Sequence, residues 1–192
     1  QQMRILITRH GESMYNVEDR IGGNPPLSCN GILYAQRLKE FCKNEDIPKK
    51  LISSTLQRAV QTASHSQQYF ESWQKIPLLN EIDAGDMEDL TYTEFKERFP
   101  EDYAKRKEDK FSYKYPNGES YKDLIDRTKP VVEFIRDGGD VFIVCHRAVV
   151  RALLFHLSGV SKKDVPHLEI PLHHIISLNG EIGEMSMELR SV

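Results

Sequence analysis

Short apolar strands alternate with helical segments along the whole chain, and this alternation constrains the fold more than any other feature. The clearest example is the apolar run "DVFIVC", which is followed directly by the helical pattern "RAVVRALLFHL". Strands that alternate with helices of about 10 to 15 residues are typical of parallel sheets. The sequence therefore predicts an α/β fold with a mostly parallel central sheet and helices on both faces. No repeat, low-complexity tract or linker interrupts the pattern, so residues 1–192 are predicted to form one domain.

The same patterns predict the approximate position of each element. Strands are expected at 3–8, 50–54, 76–79, 141–145, 174–178 and 185–189. Long helices are expected at about 28–42, 56–70, 121–136 and 147–157, with shorter ones beginning near 91 and 100. The predicted inward side chains of the first two long helices are Ile32, Leu33, Leu38, Phe41, Val60 and Ala63.

Composition restricts the possible functions. Apolar residues make up 39% and charged residues 29% of the chain, with a net charge of -3, which suits a folded domain. This charge gives no general attraction to nucleic acid or an anionic membrane, and no apolar stretch reaches the roughly 18 residues that a membrane span needs. Three cysteines without a regular pattern indicate a reducing compartment. We therefore expect a cytoplasmic protein that binds neither nucleic acid nor membrane.

Two of the predicted strands end on a histidine. Arg9 and His10 follow the first strand, and His146 follows "DVFIVC". In parallel sheets, ligands bind beyond the carboxyl ends of the strands. Both histidines are therefore expected to face one crevice.

Phosphoryl transfer without a metal needs a nucleophile, fixed cations for the phosphate oxygens and an acid for the leaving oxygen. A neutral imidazole supplies the nucleophile, and arginine matches phosphate oxygens with its planar fork. The chain has these groups at ends of predicted strands or starts of helices: Arg9, His10, Arg58, Glu81 and His146. Each alone is compatible with a solvated or core residue, but their joint placement favours one site. No metal and no cofactor is predicted, since the seven histidines lack zinc-site spacing.

Several motifs carry a family resemblance. "RHGES" resembles the opening motif of the histidine phosphatase (phosphoglycerate mutase-like) superfamily. The segments "RIGG", "LNEIDAG", "MEDLTYTEF", "YPNGESY" and "CHRAVVRALL" resemble the fructose-2,6-bisphosphatase domain of the 6-phosphofructo-2-kinase/fructose-2,6-bisphosphatase family. The resemblance covers the chain from Arg4 to about His174. It implies hydrolysis of the 2-phosphate of fructose 2,6-bisphosphate through a phosphohistidine, within the regulation of glycolysis.

The resemblance also implies a role for each matching residue. His10 would be the nucleophile, Arg9, Arg58 and His146 would hold the phosphoryl group, and Glu81 would protonate the leaving oxygen. Gly22 and Gly23 would let backbone amides approach the sugar phosphate. The other implied contacts to phosphates and sugar hydroxyls come from Asn16, Tyr92, Arg106, Lys110, Tyr121 and Arg151. Arg106 and Lys110 are expected to share one face of a helix, four residues apart.

The chain departs from the family pattern in two ways. Arg147 stands where the family has glutamine, and an additional cation there either tightens phosphate binding or loosens selectivity for the sugar. The nucleotide-binding motif G-x-x-x-x-G-K-[ST] is absent, so the kinase half is missing from these residues. We expect either a domain from a longer parent chain that carries a kinase, or a stand-alone phosphatase.

Three alternatives remain open. Cys145 and Arg151 have the C-x5-R spacing of cysteine phosphatases, although the bulky residues between them favour a helix and a core cysteine. A mutase or a broader sugar-phosphate phosphatase would use the same phosphohistidine with another acceptor or substrate. A non-catalytic domain would bind sugar phosphate without turnover.

Overall fold

A computed structural model describes all residues, 1–192. It contains one six-stranded sheet surrounded by seven α-helices. The strands are β1 (Met3–Arg9), β2 (Lys50–Ser53), β3 (Ser72–Lys75), β4 (Val141–Cys145), β5 (His174–Gly180) and β6 (Ser186–Ser191). The helices are α1 (Met14–Glu18), α2 (Cys29–Asn44), α3 (Gln57–Ser64), α4 (Tyr92–Arg98), α5 (Pro100–Glu108), α6 (Tyr121–Gly138) and α7 (Arg147–Ser158).

The strand order in the sheet is β3-β2-β4-β1-β5-β6. The strand pairs β3-β2, β2-β4 and β4-β1 are parallel, whereas β5 is antiparallel to both β1 and β6. The predicted α/β fold with a mostly parallel sheet is therefore confirmed. The antiparallel β5 and β6 make the sheet mixed at one edge.

Helices cover both faces of the sheet because successive strand residues point to opposite sides. On one face, Ile5 and Ile7 of β1 pack with the apolar side chains of α6 and α7. On the other, Leu6 packs with α2 and α3. A third, smaller core beside α4 contains Phe95 and Met87. The sheet is thus a rigid base for the loops at its ends.

Side-chain caps explain where several helices begin. Thr91 accepts a hydrogen bond from the N–H of Glu94, whose carboxylate accepts one from the N–H of Thr91. Ser120 and Asp123 form the same reciprocal pair at the start of α6. Such capping boxes satisfy N–H groups that lack partners within the helix. The predicted helix starts at these positions are confirmed.

Some predicted elements are wrong. Strand β3 lies at Ser72–Lys75, and Pro77–Leu79 form a 3₁₀ turn, so the strand expected at 76–79 does not exist. Helix α3 ends at Ser64 and does not reach residue 70. Ile32 and Leu33 are exposed, because α2 turns Tyr34 and Ala35 toward the sheet.

The parallel pairing of β1 with β4 positions the two histidines. Arg9 pairs with Cys145, so the next residues, His10 and His146, leave the sheet side by side. The N–H of His10 continues the ladder by donating to the carbonyl of Cys145 at 2.9 Å. None of the helices is both long and apolar enough to cross a bilayer.

Candidate active site

His10 lies at the base of a cleft beyond the carboxyl ends of β1 and β4. Its ring is 4% exposed, and Nδ1 lies 2.6 Å from the carbonyl oxygen of Gly11. A carbonyl oxygen only accepts, so Nδ1 carries the proton of the neutral ring. The lone pair is then on Nε2, the atom that a nucleophilic imidazole uses.

His146 lies beside His10 but is completely buried, so of the two histidines expected to face the crevice only His10 lines it. The two ring centroids are 5.1 Å apart, with the planes tilted by 53°. Nε2 of His146 lies 2.6 Å from Oγ of Ser54, whereas Nδ1 is buried without a hydrogen-bond partner. Unpaired buried polar atoms are rare and indicate a missing ligand or a functional role.

Both imidazoles are held in the neutral form. Burial, followed by the positive charge of Arg58, places the pKa of His10 and of His146 well below the usual histidine value. Arg9 lowers both pKa values further. At neutral pH each ring therefore keeps one nitrogen lone pair.

Arg58, which is buried, and Arg9, which is half-buried, flank the histidines and leave part of their guanidinium groups free. Arg9 donates to the carbonyl of Ile170 at 2.7 Å, but its Nε has no partner. Arg58 donates to the carbonyl of Gly23 at 2.8 Å. Burial, and next the charge of Arg147, lower the pKa of Arg9 to about 10, so it remains charged at neutral pH. Neither arginine forms a salt bridge, so both are available to an anion.

Glu81 lines the same cleft from the loop after β3. One carboxylate oxygen accepts from the N–H of Ile82 at 2.9 Å, and the other from the N–H of Ala148 at 3.3 Å. The side chain of Arg127 holds this loop from behind by donating to the carbonyls of Leu78 and Glu81. These contacts direct the carboxyl group toward the start of α7.

Further cations and several tyrosines also line the cleft. The predicted residues found there are Tyr92, Arg106, Lys110, Tyr121 and Arg147. Lys110 lies beyond the end of α5, so the predicted shared helix face with Arg106 is wrong, although both side chains line the cleft. Burial and the charge of Arg106 lower the pKa of Lys110 to about 7. An anion bound here would favour the charged form of Lys110.

Most of the cations that line the cleft have no ion-pair partner. Five of the six form no ion pair within 4 Å: Arg9, Arg58, Arg106, Lys110 and Arg147. A sixth cation, Arg20, also lines the cleft but pairs with Glu18. Concentrated unpaired cations make the cleft suitable for an anion with more than one charge.

Three further predicted residues differ in whether a substrate could reach them. Gly22 lines the cleft with φ of 62°, and a Cβ there would meet the Glu88 carboxylate at 2.0 Å. Gly23 does not line the cleft, and its N–H donates to the Glu88 carboxylate at 2.9 Å, so this amide already has a partner within the protein. Asn16 lines the cleft, but its amide oxygen accepts from Ser13, which leaves only its NH₂ group free.

Arg151 lies in a second layer and does not line the cleft. It donates to the hydroxyl of Tyr121 at 2.9 Å and to the carbonyl of Leu168 at 2.8 Å. It therefore orients Tyr121, and the predicted direct contact with substrate is not supported. Cys145 is fully buried in the core, and burial raises the pKa of its thiol. A thiolate mechanism has no support from this placement.

Several residues of the site were not predicted. Ser54 contacts His146, and Thr62 and His173 contact the backbone after His10. Their partners are distant in sequence, so no local pattern signals them. The cleft-lining residues not predicted are Ser13, Tyr15, Asp19, Arg20, Ile21, Ile82, Ala84, Tyr113, Tyr115 and Ala148. No three His, Cys, Asp or Glu residues cluster in a way that would hold a metal ion.

Comparison with protein families gives one match across nearly the whole chain. Residues 5–191 match the model of the histidine phosphatase superfamily (branch 1). The 6-phosphofructo-2-kinase/fructose-2,6-bisphosphatase of Gallus gallus is 42% identical over 175 residues. A human relative, 6-phosphofructo-2-kinase/fructose-2,6-bisphosphatase 1, is 41% identical over the same length. Each alignment covers 91% of this chain but only 37% and 36% of the respective relative, so the chain spans about a third of their length.

Solved structures share the fold at lower identity. The alpha-ribazole phosphatase of Shigella flexneri has a TM-score of 0.87 at 23% identity and covers 99% of this chain and 96% of its own. A mycobacterial glucosyl-3-phosphoglycerate phosphatase has a TM-score of 0.84 at 23% identity, with complete coverage of both chains. At this identity the likeness concerns the fold alone.

Proposed function

The chain belongs to the histidine phosphatase superfamily, and from that premise we propose that it hydrolyses the 2-phosphate of fructose 2,6-bisphosphate. The superfamily and the relatives support a phosphoric monoester hydrolase. One observation carries the proposal furthest: the free Nε2 of a neutral His10 lies in a cleft in which five of the six cations have no ion-pair partner. This arrangement suits attack on a substrate with two phosphate groups.

The first half-reaction transfers the phosphoryl group to the protein. Nε2 of His10 donates its lone pair to phosphorus, and the bond from phosphorus to the sugar oxygen at C2 breaks. Glu81, in its acid form, gives its proton to that oxygen, so fructose 6-phosphate leaves. Arg9, Arg58 and the Nδ1–H of His146 balance the charge of the transferring group. This role would satisfy the unpaired nitrogens of Arg9 and His146.

The second half-reaction restores His10. Water attacks phosphorus, the carboxylate of Glu81 takes a proton from this water, and the bond from phosphorus to Nε2 breaks. Inorganic phosphate and neutral His10 result. Glu81 therefore serves first as acid and then as base, and it is protonated again for the next cycle.

Three cations of the cleft other than Arg9 and Arg58 would bind the second phosphate. They are Arg106, Lys110 and Arg147, and they line the cleft together with Tyr92 and Tyr121. Tyrosine hydroxyls donate to phosphate or sugar oxygens, and the cations supply charge. The non-reacting 6-phosphate would then fix the position of the sugar, which aligns the 2-phosphate with His10.

Labelling of His10 tests the reaction directly. Protein incubated with fructose 2,6-bisphosphate radiolabelled in the 2-phosphate should give an acid-labile, alkali-stable label on His10, with release of fructose 6-phosphate and phosphate. His10→Ala should remove the label, whereas replacement of the exposed His65 should not. Absence of any label in a single turnover would refute the proposal and favour a binding domain without catalysis.

A broader sugar-phosphate phosphatase is the second candidate, because Arg147 introduces a cation into the cleft. A panel of phosphorylated sugars and glycerates, tested with the wild type and with Arg147→Gln, distinguishes the two. If fructose 2,6-bisphosphate is the substrate, it gives the highest kcat/KM with both proteins. If the substrate range is broad, several sugar phosphates react at similar rates and Arg147→Gln narrows the range. Exchange between 3- and 2-phosphoglycerate would instead indicate a mutase.

We further propose a cytoplasmic protein whose parent chain also carries a kinase domain. The relatives are named as a kinase joined to a bisphosphatase, and this chain matches about a third of the length of each. The complete reading frame tests this through the presence or absence of G-x-x-x-x-G-K-[ST]. Fluorescence of the tagged full-length protein tests the location.

A further inference from the structure

The loop that carries His10 is fastened by two side chains from other parts of the fold. The N–H of Gly11 donates to Oγ1 of Thr62 at 2.9 Å, and the N–H of Glu12 donates to Nε2 of His173 at 3.0 Å. The loop also packs closely on Gly31, where a Cβ would lie 2.1 Å from the carbonyl oxygen of Glu12. Ser28 holds the same loop as well, since its N–H donates to the carbonyl of Glu12 at 2.8 Å and its Oγ to the Glu12 carboxylate at 2.7 Å. Thr62 and His173 are the side chains that accept the N–H groups of the two residues after His10.

The conformation of His173 suits this role. Its φ is 64°, an uncommon value for a residue other than glycine. Its ring stacks on Tyr34 with centroids 4.7 Å apart and planes at 16°. The Tyr34 hydroxyl in turn lies 2.6 Å from Oγ1 of Thr8, on the strand that leads to His10. Such strained residues persist where the surrounding structure holds them and occur often at functional sites.

The segment before β5 holds other site residues as well. The carbonyl of Ile170 accepts from Arg9, and the carbonyl of Leu168 accepts from Arg151, which orients Tyr121. Residues 168–173, which include His173, therefore contact three parts of the site: Arg9, Arg151 and the loop after His10. A side chain at the end of this segment is well placed to set the position of His10.

We propose that His173 is a positioning residue for phosphoryl transfer, because its neutral ring accepts the Glu12 N–H and so holds the His10 loop in place. This inference rests on the proposed function in that His10 is the nucleophile. A nitrogen that accepts a hydrogen bond must carry a lone pair. When the ring is protonated, both nitrogens are donors, and the contact with the Glu12 N–H is lost.

Burial and the positive charge of Arg37 lower the pKa of His173, which keeps the ring neutral at pH 7. The pKa of His10 lies well below the usual value, so His173 is expected to protonate first on acidification. Tyr34 stacks on the His173 ring, and the charged or titratable groups that influence it or are influenced by it are Arg9, His10, Glu12, Arg37 and His174. The acid side of the kcat/KM profile should therefore report His173 before His10.

Two substitutions at His173 separate its hydrogen bond from its packing. His173→Phe keeps the stacked ring but cannot accept, whereas His173→Gln places an acceptor at the reach of Nε2 and does not titrate. At pH 7.5 we expect kcat to fall about 10- to 100-fold in the Phe variant, with KM within about twofold, because a misplaced nucleophile costs rate more than affinity. The Gln variant should recover most of kcat and remain active to lower pH.

Hydrogen exchange gives a readout that needs no turnover. The amides of residues 11 and 12 should exchange faster in His173→Phe than in the wild type or His173→Gln. Equal exchange and equal kcat in the Phe variant and the wild type would overturn the role of His173. So would a Gln variant as impaired as the Phe variant.

Two further outcomes keep the inference separate from the proposed function. If the Phe variant does not fold, an acid limb in His173→Gln identical to that of the wild type overturns the inference, and a shift to lower pH supports it. A wild type that never forms phosphohistidine refutes the proposed function. The exchange experiment then still decides whether His173 holds the loop.

Discussion

Acidification from pH 7.5 to 5.5 should destabilise the folded protein through His10 and His146. Both rings are buried, at 4% and 0% exposure, and burial places the pKa of each well below the ordinary value of 6.5. Unfolding exposes the rings, which then titrate with that ordinary pKa. In this window the unfolded chain therefore binds more protons than the folded one, so the free energy of unfolding decreases as the pH falls.

The size of the effect follows from the number of rings. One histidine with a pKa of 6.5 in the unfolded chain contributes about 1.4 kcal/mol between pH 7.5 and 5.5 when the folded ring binds no proton. Two such rings give about 3 kcal/mol in that limit. A typical domain is stable by about 5 to 15 kcal/mol, so the loss is large. His173 and Lys110, whose pKa values are also lowered, change stability in the same direction.

Urea unfolding at the two pH values measures this loss, in buffers without phosphate or sulfate because these anions would bind the cleft. His146→Gln should lose about 1.4 kcal/mol of the pH dependence, as should His10→Gln, since each variant retains only one of the two buried imidazoles. His65→Gln, at an exposed site, should keep the full dependence. Two results would show that the folded rings are not neutral. One is an equal free energy of unfolding of the wild type at pH 7.5 and 5.5, and the other is the same change in that free energy with pH in the wild type and in every variant. The lone pair on Nε2 of His10 would then lack its physical basis.

Three other substitutions test separate parts of the site. Glu81→Gln should lower kcat about 10²- to 10⁴-fold with little change in KM, as expected for loss of a positioned acid. Steady-state kinetics measure both constants, and a much smaller decrease in kcat would contradict the role of Glu81 as the acid. Arg127→Met removes the N–H donors that hold the loop of Glu81, so kcat in the steady-state assay should fall about 10-fold. Binding of inorganic phosphate, measured by titration calorimetry as the control, should be unchanged. Cys145→Ser should lower the thermal midpoint because it buries a hydroxyl, yet leave kcat within about twofold, and loss of activity in a folded Cys145→Ser variant would contradict the histidine mechanism.

The sequence predicted best the features that arise from local patterns. The run "DVFIVC" is apolar throughout, and β4 is indeed buried along its whole length. A short helix is predicted to begin near residue 91, and α4 does begin there, with Thr91 and Glu94 forming a capping box. Arg9 and His10 were placed at the end of a parallel strand, so their position at the cleft followed from the fold itself.

The wrong predictions come from tertiary contacts. Residues 76–79 are apolar enough for a strand, but Pro77 lacks an N–H, and the adjoining polar segment Ser72–Lys75 pairs with β2 instead. On α2, Ile32 and Leu33 are more apolar than Tyr34, yet Tyr34 is buried because it faces the sheet, where its hydroxyl reaches Oγ1 of Thr8 in β1. Such choices depend on partners far along the chain.

The site shows the same division. Glycines at 22 and 23 were predicted together, but Glu88, 65 residues beyond Gly23, takes the amide of Gly23. Arg151 was predicted to contact substrate, yet the hydroxyl of Tyr121 and the carbonyl of Leu168 take its donors. Residue type indicates what a group can bind, whereas only the fold decides which neighbour it binds first.

The antiparallel pairing of β5 with β1 has a consequence for evolution and engineering. It brings the amino-terminal end of β5 to the same edge of the sheet as the carboxyl end of β1. The turn before β5 can thus supply a side chain, that of His173, to the edge of the sheet where His10 lies. If β5 were parallel to β1, the turn before it would lie at the opposite edge. Insertions at 168–173 would therefore be poorly tolerated, whereas extra residues in the 181–185 turn, at the opposite end of β5, should leave turnover intact.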